Sequence, residues 1–464
     1  MDKRPNILFL MSDEHRFDVS GFAGNEVVRT PFLDKMAEEA VIFENAYTPS
    51  PVCIPARQCM ASGQLPKTCK VECFGEDLEP NYLTFARVFS QYAYKAVAAG
   101  KLHHSGIDQM QGWTQRIAGD CDIFPRYING EKEEFEKYKK PKGVKWTEEK
   151  EILRAGIGTS PYTTADNMTI MGAENYVYQH FIDSYYDRAI KDTPLLLYVG
   201  LVNPHYPYLA DEKLFNYYIN RIGLYGNNKP FKHCYLSKNP NMEGPLRVGE
   251  DISQRDLRRA MAAYYANIET MDSNFERVYK SLEEAGENLD DWIIIYTSDH
   301  GEMLGEHAIW EKQQFFEGSV KVPLFIRYPK KFKAKRIKEN VNLCDIFATL
   351  CDLAEIPIPD GLDSRSLVAL MEGNNDTWNN ESISQVWGNK LMIKQDHLKY
   401  QWYGDDESEV LFDLNTNTDE TINYINDKEY IEEIKKFRKR CTELGFGPNP
   451  NSKYINAGYK IILN

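Results

Sequence analysis

Three apolar runs of the chain each end in polar residues that could bind a metal ion or an anion. The polar segments are residues 12–15 (SDEH), 203–207 (NPHYP) and 298–302 (SDHGE). An aspartate after a strand is commonly the N-cap of the next helix, so each segment alone is weak evidence for a site. If the runs are parallel strands of one sheet, however, their carboxyl ends meet at the edge where ligands bind. Together the segments predict a rim of carboxylates and histidines.

The residue types at this rim favour a hard, oxygen-preferring cation. Carboxylates from different strands, with no cysteine pair among them, suit Ca²⁺ or Mg²⁺. Zinc is not expected, because Cys69 and Cys73 form an isolated C-x3-C that no second pair or histidine run completes. The nine cysteines are an odd number spread over a long chain, which is not the pattern of a disulfide scaffold.

A further candidate for chemistry is residues 51–63 (PVCIPARQCMASG). Pro55 fits the first turn of a helix, where its missing N–H costs nothing. Cys53 would then lie just outside the positive end of that helix, which binds anions and favours a thiolate, and Arg57 would add a fixed cation one turn further on. The alternative is an ordinary helix start with a buried cysteine, and spacing alone favours this alternative.

Composition restricts the classes of function. The 464 residues are 42% hydrophobic and 27% charged, which is typical of soluble globular proteins. The net charge of −14 argues against non-specific nucleic-acid binding, although a few local cations could still attract a small anionic substrate. No apolar run approaches the ~18–20 residues of a membrane span. Residues 7–11 fall short of the roughly 7–15 apolar residues of a secretory signal, so we expect a cytoplasmic protein that binds neither nucleic acid nor membrane.

The order of apolar and helical patterns predicts an α/β fold. Residues 7–11, 195–202, 292–297 and 324–328 are predicted to be buried parallel strands. Helical patterns lie between these strands, at residues 30–40, 82–92, 173–190, 255–285 and 343–354. The alternation of strands with helices is typical of a doubly wound sheet.

Two further regions depart from this alternation. Residues 120–164 are polar and weakly periodic, and we interpret them as a surface insertion near a substrate cleft. The turn-rich residues 373–380 mark a boundary between a catalytic domain, 1–375, and a C-terminal subdomain, 376–464. Short antiparallel strands are predicted in this subdomain at residues 382–388, 390–394, 399–403 and 410–414, and a closing helix at 430–444.

Residues 53–57 (CIPAR), followed by Ser62 and Gly63, resemble the C-x-P-[SA]-R signature of type I, formylglycine-dependent sulfatases. Other elements resemble those of the same family in the same order: residues 5–13, 100–103 (GKLH), 203–207, 298–312 and 411–423. Chance agreement of six elements spread over nearly the whole chain is negligible. The resemblance implies an alkaline-phosphatase-like core, with a mostly parallel sheet flanked by helices, and a small C-terminal antiparallel α+β subdomain.

The resemblance also implies a metal site. Asp13, Asp299 and His300 would bind one divalent ion, and formylglycine made from Cys53 would complete the ligand set. Ca²⁺ is favoured, with Mg²⁺ or Mn²⁺ as alternatives. Glu14 is a further candidate ligand, because the family often has a second aspartate at this position. His300 stands where many sulfatases have asparagine, a substitution associated with choline-sulfatase-like enzymes and phosphonate monoester hydrolases.

The catalytic roles implied by the resemblance fall on six residues. They are Cys53 as the precursor of the nucleophile, Arg57, Lys101 and His103 around the formylglycine diol, and His205 and Lys312 on the sulfate. One hydroxyl of the diol would attack sulfur, and the second would then expel sulfate and regenerate the aldehyde. Because an alkoxide leaving group needs a proton, a histidine with a near-neutral pKa is the natural acid, and His205 is the expected one.

The predicted function is therefore the hydrolysis of a carbohydrate or small-molecule sulfate ester. It requires a formylglycine-generating maturation enzyme as a partner, and homo-oligomerisation stays open. Hydrolysis of a phosphonate monoester or phosphate diester at the same site is the alternative. A non-enzymatic binding module is disfavoured, because the positions carried over hold competent groups.

Overall fold

The computed structural model describes residues 4–104, 106–120, 148–225, 248–404 and 407–447. The strands in these ranges are β1 Ile7–Asp13, β2 Val41–Tyr47, β3 Lys95–Gly100, β4 Gln115–Ile117, β5 Gly156–Ile157, β6 Leu195–Pro204, β7 Leu209–Ala210, β8 Ile293–Ser298, β9 Lys321–Val322, β10 Leu324–Arg327, β11 Lys335–Asn342, β12 Glu381–Val386, β13 Lys390–Gln395, β14 Leu398–Tyr403 and β15 Ser408–Asp413. The α-helices are α1 Pro31–Glu38, α2 Cys53–Ser62, α3 Pro66–Cys69, α4 Phe85–Gln91, α5 Glu148–Leu153, α6 Pro161–Tyr186, α7 Arg188–Asp192, α8 Glu212–Tyr218, α9 Gln254–Glu284, α10 Glu317–Val320, α11 Asp345–Leu353, α12 Val368–Glu372 and α13 Ile431–Glu443.

A central sheet organises the larger part of the fold. Its strand order is β11-β2-β10-β8-β1-β6-β3-β4, with β9 paired to β2. Strands β8, β1, β6, β3 and β4 are mutually parallel, so their carboxyl ends lie at one edge. This arrangement confirms the predicted α/β class with a mostly parallel sheet.

Both faces of the sheet are covered, which explains the continuous apolar runs of its strands. Along β1, Leu8 and Leu10 pack into one hydrophobic cluster, whereas Ile7, Phe9 and Met11 pack into another. The first cluster includes apolar residues of α1, α6 and α9, and the second includes those of α2, α4 and α11. Helices therefore cover both faces of the sheet, whereas the ends of its strands lie outside these two packed layers.

A second, antiparallel sheet near the C-terminus has the order β12-β13-β14-β15, and α13 packs against β13 and β14. Both features confirm the predicted antiparallel strands and closing helix. The division into domains at residue 375 stays a prediction.

Two details of the predicted layout are wrong, and most of a third lies outside the described residues. Strand β10 is antiparallel to both β8 and β2, because it begins beside the end of β8, with Leu324 opposite Thr297, and runs back along that strand. The end of the segment predicted as an insertion, residues 120–164, contains α5, β5 and the start of α6; residues 121–147 lie outside the described ranges. Helix α6 begins at Pro161, twelve residues before its apolar pattern becomes visible, with Ser160 as its N-cap.

No helix among the described residues is both long and apolar enough to cross a membrane. The cytoplasmic location stays a prediction.

Candidate active site

The three polar segments that follow the apolar strands meet in the structure. Strand β1 lies between β6 and β8, with Asp13 opposite Pro204 and Ser12 opposite Ser298. Asp299 therefore follows β8 beside Asp13, and its Oδ1 accepts hydrogen bonds from the backbone N–H groups of Glu14 and His300. The predicted rim at the carboxyl edge of the sheet is confirmed.

Arg57 joins the two aspartates at the bottom of the site. Its Nε lies 2.7 Å from Asp299 Oδ2 and its Nη2 lies 3.1 Å from Asp13 Oδ2. Its other N–H groups donate to Tyr198 Oη and to the backbone carbonyls of Ser12 and Lys101. All five N–H groups of the guanidinium are thus occupied. Arg57 can act on a reacting group through its charge and by fixing the carboxylates, but it has no donor left to bind that group.

The burial of Asp13 and Asp299 beside charged neighbours shifts the pKa values of both carboxyl groups. Burial opposes ionisation of Asp13, but the charges of Lys101 and Arg57 hold the pKa of Asp13 well below its usual range. Burial raises the pKa of Asp299 to about 7, since the neighbouring charge of Asp13 offsets much of the effect of Arg57. The carboxylates of Asp13 and Asp299 share the guanidinium of Arg57 and repel each other. A bound cation would relieve this repulsion.

Cys53 lies at the start of α2, as predicted, but inside the helix. The helix begins at Cys53, with Val52 as its N-cap, so Pro55 is the third helical residue. The thiol is buried, and burial raises the pKa of Cys53 to about 12. The expectation that the helix end favours a thiolate is therefore wrong, because desolvation outweighs the positive end of the helix and Lys101.

Close packing of two strands explains the glycine before Lys101. A Cβ atom on Gly100 would lie 2.2 Å from the carbonyl oxygen of Gly200 on β6, and Gly100 has a φ of +80°. Lys101 leaves β3 at this point and places its Nζ 2.9 Å from Asp13 Oδ2. His103, two residues on, is buried with a φ of +58°. The structure thus brings Lys101 beside Asp13, one of the predicted metal ligands.

His205 and Lys312 form the second group of the site. Lys312 Nζ lies 2.8 Å from Glu14 Oε2 and 2.9 Å from His205 Nε2. Since a lysine ammonium only donates, Nε2 accepts, and the Nδ1–H of His205 donates to the carbonyl of Tyr206 at 2.6 Å. Burial and the charge of Lys312 lower the pKa of His205 well below its usual value. In this arrangement the imidazole of His205 is therefore uncharged. The prediction of a near-neutral pKa for His205 does not hold here.

Two overlapping sets of donor atoms could hold a cation. The ligand atoms of Asp13, Cys53 and His300 lie within 4.8 Å of one another, and so do those of Asp13, Glu14 and His205. In the described part of the chain, Asp13 Oδ1, Glu14 Oε1 and His300 Nε2 are buried and have no hydrogen-bond partner. Buried polar atoms without partners are costly unless a ligand satisfies them. These donor atoms therefore fit one divalent cation; Asp299 belongs to neither set, but its Oδ1 lies 3.7 Å from His300 Nε2.

Sequence reasoning missed two aspartates that hold the loops of the site. Asp120 accepts hydrogen bonds from Leu102 and His103, and Asp166 accepts them from Val202 and Asn203. Neither belongs to a local motif, and the partners of Asp166 are 36 and 37 residues away. His104, next to His103, accepts a hydrogen bond from the indole N–H of Trp113 and lies 3.3 Å from Gln58 Nε2, so it has a structural role.

Comparison with known proteins places this site in a family. The family model described as sulfatase matches residues 5–356, and that of the N-sulphoglucosamine sulphohydrolase C-terminal region matches residues 305–445. An arylsulfatase of Clostridium perfringens is 31% identical over 94% of this chain and 93% of its own length. A choline-sulfatase of Rhizobium meliloti is 28% identical, covering 90% and 82%.

The fold is also shared with enzymes that act on another ester class. The crystal structure of a phosphonate monoester hydrolase of Agrobacterium radiobacter has a TM-score of 0.73 at 21% identity, over 95% of both chains. At that identity the likeness shows the fold alone. The family match over most of the chain and the 31% identity decide the class: this chain is a member of the sulfatase family, with the alkaline-phosphatase-like fold, and is an enzyme that hydrolyses sulfate esters.

Proposed function

We propose that the enzyme cleaves the sulfate ester of a carbohydrate or a small molecule with a formylglycine made from Cys53. The supporting observation is that Cys53 Sγ shares one 4.8 Å cluster with ligand atoms of Asp13 and His300. A cysteine that merely packed at a helix start would not need buried, unpartnered metal-ligand atoms beside it. The formylglycine hydrate would supply a hydroxyl nucleophile that a thiol of high pKa cannot supply. A maturation enzyme must make it from the cysteine.

We infer that Asp13, Asp299 and His300 hold one divalent cation, Ca²⁺ by preference. Glu14 can join them, because its Oε1 has no hydrogen-bond partner in the described ranges while its Oε2 binds Lys312. Such an ion would make the hydroxyl of the nucleophile more acidic and would neutralise charge on the sulfate. The three carboxylates face three fixed cations, namely Arg57, Lys101 and Lys312. Glu302 and Glu311 also lie close to Glu14, so the ion would offset this excess of negative charge and favour the binding of an anionic ester.

The fixed cations divide the work around the reacting atoms. Arg57 has no free donor, so its part is to fix Asp13 and Asp299 and to supply positive charge. Lys101 and His103, which follow β3, are proposed to hold the nucleophile. Lys312 is proposed to bind the sulfate, since its ammonium lies between Glu14 and His205 at the more open side of the site, where Lys312 is 6% and His205 8% exposed.

His205 is proposed to protonate the leaving oxygen once the ester is bound. In the free enzyme its imidazole is neutral and accepts a hydrogen bond from Lys312. A bound anion draws Lys312 to itself and favours the imidazolium, because opposite charge nearby raises the pKa of a histidine. Geometry in a free enzyme does not rule out a general acid that is formed on binding.

Substitution of Cys53 tests the nucleophile. Cys53→Ala should reduce the turnover of an aryl sulfate to the background rate and leave the melting temperature nearly unchanged. Cys59→Ala is the matched control, because Cys59 is a second buried cysteine of α2 and should keep its activity. Mass spectrometry of the peptide around residue 53 should show the formylglycine in active protein. Turnover by Cys53→Ala within about tenfold of wild type would exclude the mechanism, since removing one stabilising group alone costs ~10²–10³.

The alternative substrate class is tested on the same matured protein. A fold shared with phosphonate monoester hydrolases and the histidine at position 300 keep that class open. Rates on an aryl sulfate and on an aryl phosphonate monoester, measured side by side, distinguish the two. A larger kcat/KM on the phosphonate would replace the proposed substrate and leave the proposed nucleophile intact.

A further inference from the structure

A buried carboxylate fixes the end of β6, from which His205 follows. Asp166 Oδ1 accepts a hydrogen bond from the backbone N–H of Val202 at 2.7 Å, and its Oδ2 accepts one from Asn203 at 2.9 Å. The carbonyl of Val202 in turn accepts the backbone N–H of His205 at 3.0 Å. Asp166 lies in the second turn of α6 and is 1% exposed. It therefore connects a rigid helix to the turn that carries His205.

A second buried carboxylate has the same relation to the residues after β3. Asp120 Oδ1 accepts the backbone N–H of Leu102 at 2.5 Å and that of His103 at 2.7 Å. Its Oδ2 is held by Arg116 at 2.5 Å. The two amides belong to the residues directly after Lys101, and His103 has a φ of +58°, which costs energy for a residue with a side chain. Asp120 holds this unfavourable backbone in place.

We propose that Asp120 and Asp166 are positioning residues of the sulfatase reaction: Asp120 acts through Lys101 and His103, and Asp166 acts through His205. The proposal rests on the function proposed above. Its physical basis is that a carboxylate accepting two successive amides defines both the position and the direction of the chain. Because a misplacement of ~1 Å can cost ~10²-fold in rate, loss of such an anchor should be visible in catalysis.

The chain contains a matched control for Asp166. Asp272 of α9 also accepts two successive backbone amides, those of Phe32 at 3.1 Å and Leu33 at 2.8 Å. It is equally buried at 1% exposure, and burial raises the pKa of Asp166 and of Asp272 alike to about 7. Its partners belong to α1, which carries no residue of the proposed site. Asp272→Asn therefore measures how much stability is lost when such a carboxylate is replaced, without any effect on catalysis.

The first experiment compares Asp166→Asn with Asp272→Asn in matured enzyme. An asparagine can satisfy only one of the two amides, so both variants should melt at a lower and similar temperature. Asp166→Asn should lose ~10–100-fold in kcat on a sugar sulfate and less on an activated aryl sulfate, which is the dependence expected of His205. Asp272→Asn should stay within about twofold on both esters, because it moves no group of the site.

A double variant decides whether Asp166 acts through His205. In the His205→Ala background, Asp166→Asn should reduce kcat by less than about threefold, because residues that act as a unit are not additive. The full single-variant loss in that background would overturn the proposal. So would an Asp166→Asn enzyme with wild-type kcat on both esters and the same fall in melting temperature as Asp272→Asn.

The Asp120 branch has its own rescue test. Asp120→Ala should lower kcat by a similar factor on all sulfate esters, since it displaces Lys101 and His103 rather than the acid. Asp120→Asn should restore part of the rate, because a single amide oxygen can accept from both Leu102 and His103 as Asp120 Oδ1 does, although its NH2 group cannot pair with Arg116. Equal losses in the Ala and Asn variants would overturn this branch. If matured wild type hydrolyses no sulfate ester, the proposed function itself fails, and that outcome is seen before any variant is made.

Discussion

The site has two halves that differ in how the chain builds them. The half around the nucleophile comprises Asp13, Cys53, Arg57, Lys101, Asp299 and His300. These residues are at most 4% exposed and lie at strand ends or at the start of α2. The half around the substrate comprises Glu14, His205 and Lys312, of which the last two are the most exposed groups of the site.

The backbone beneath the two halves differs accordingly. The nucleophile half stands on the ends of paired, buried strands, whose register leaves little freedom. Lys312 instead lies in irregular chain between β8 and α10, where Leu304, His307, Glu311 and Gln313 all have φ between +49° and +74°. This segment is almost entirely buried, and positive φ costs energy for residues with side chains, so the packing around the segment must hold its backbone in place. The difference indicates that strand register positions the nucleophile half, whereas the packing of an irregular segment positions Lys312.

Removal of the metal should have the largest effect, because it acts on the nucleophile half. Exhaustive chelation is expected to reduce turnover of every ester to background and to lower the melting temperature, since an ion at ~100 times its Kd stabilises the fold by about 2.7 kcal/mol. Re-addition of Ca²⁺ should restore both. Unchanged turnover and melting after verified metal removal would contradict the proposed site.

The second prediction concerns the charge that the substrate half presents to sulfate. Lys312→Ala should lower kcat/KM by ~10²–10³ on sugar and aryl sulfates alike, because the sulfate is common to both. It should also destabilise the fold by about 3–5 kcal/mol, since Glu14 is left buried without its partner. A Lys312→Ala/Glu14→Gln double variant should recover stability but not rate. Recovery of the rate would show that Lys312 only neutralises Glu14.

The nucleophile half was also the more predictable from sequence. Local motifs such as residues 53–57 and 298–302 carry their own geometry, since each couples a strand or helix end to its functional group. Other features depend on partners distant in sequence. They are the antiparallel direction of β10, the uncharged state of His205 and the occupation of all five N–H groups of Arg57. Lys312, for example, meets Glu14 across 298 residues. A pattern can indicate that such groups are present, but the contacts that set their protonation and free donors arise only in the folded chain.

A third prediction separates the two members of the substrate half. His205→Ala should lower kcat on a sugar sulfate by ~10²–10³ and on an activated phenyl sulfate by much less, because a phenolate departs without a proton. His104→Ala is the control: it removes a buried histidine bonded to Gln58 and Trp113, so it should lower stability without favouring one leaving group over another. Equal losses on both esters in His205→Ala would show that His205 is not the acid.

The smallest effect is expected at Glu14, where the two halves meet. Its backbone N–H binds Asp299, its Oε2 binds Lys312, and its Oε1 has no hydrogen-bond partner in the described part of the chain. Glu14→Gln keeps an oxygen for a cation and the shape of the side chain but removes one negative charge. Weaker Ca²⁺ binding, by about tenfold, and a modest loss of kcat that added Ca²⁺ restores are therefore expected, since removing ligand charge lowers affinity without destroying the site. Titration of Ca²⁺ against activity and melting temperature in the variant and in wild type measures both. If Ca²⁺ affinity is unchanged while KM for every ester rises, Glu14 belongs to the substrate half alone, as the partner of Lys312, and the metal is held without it.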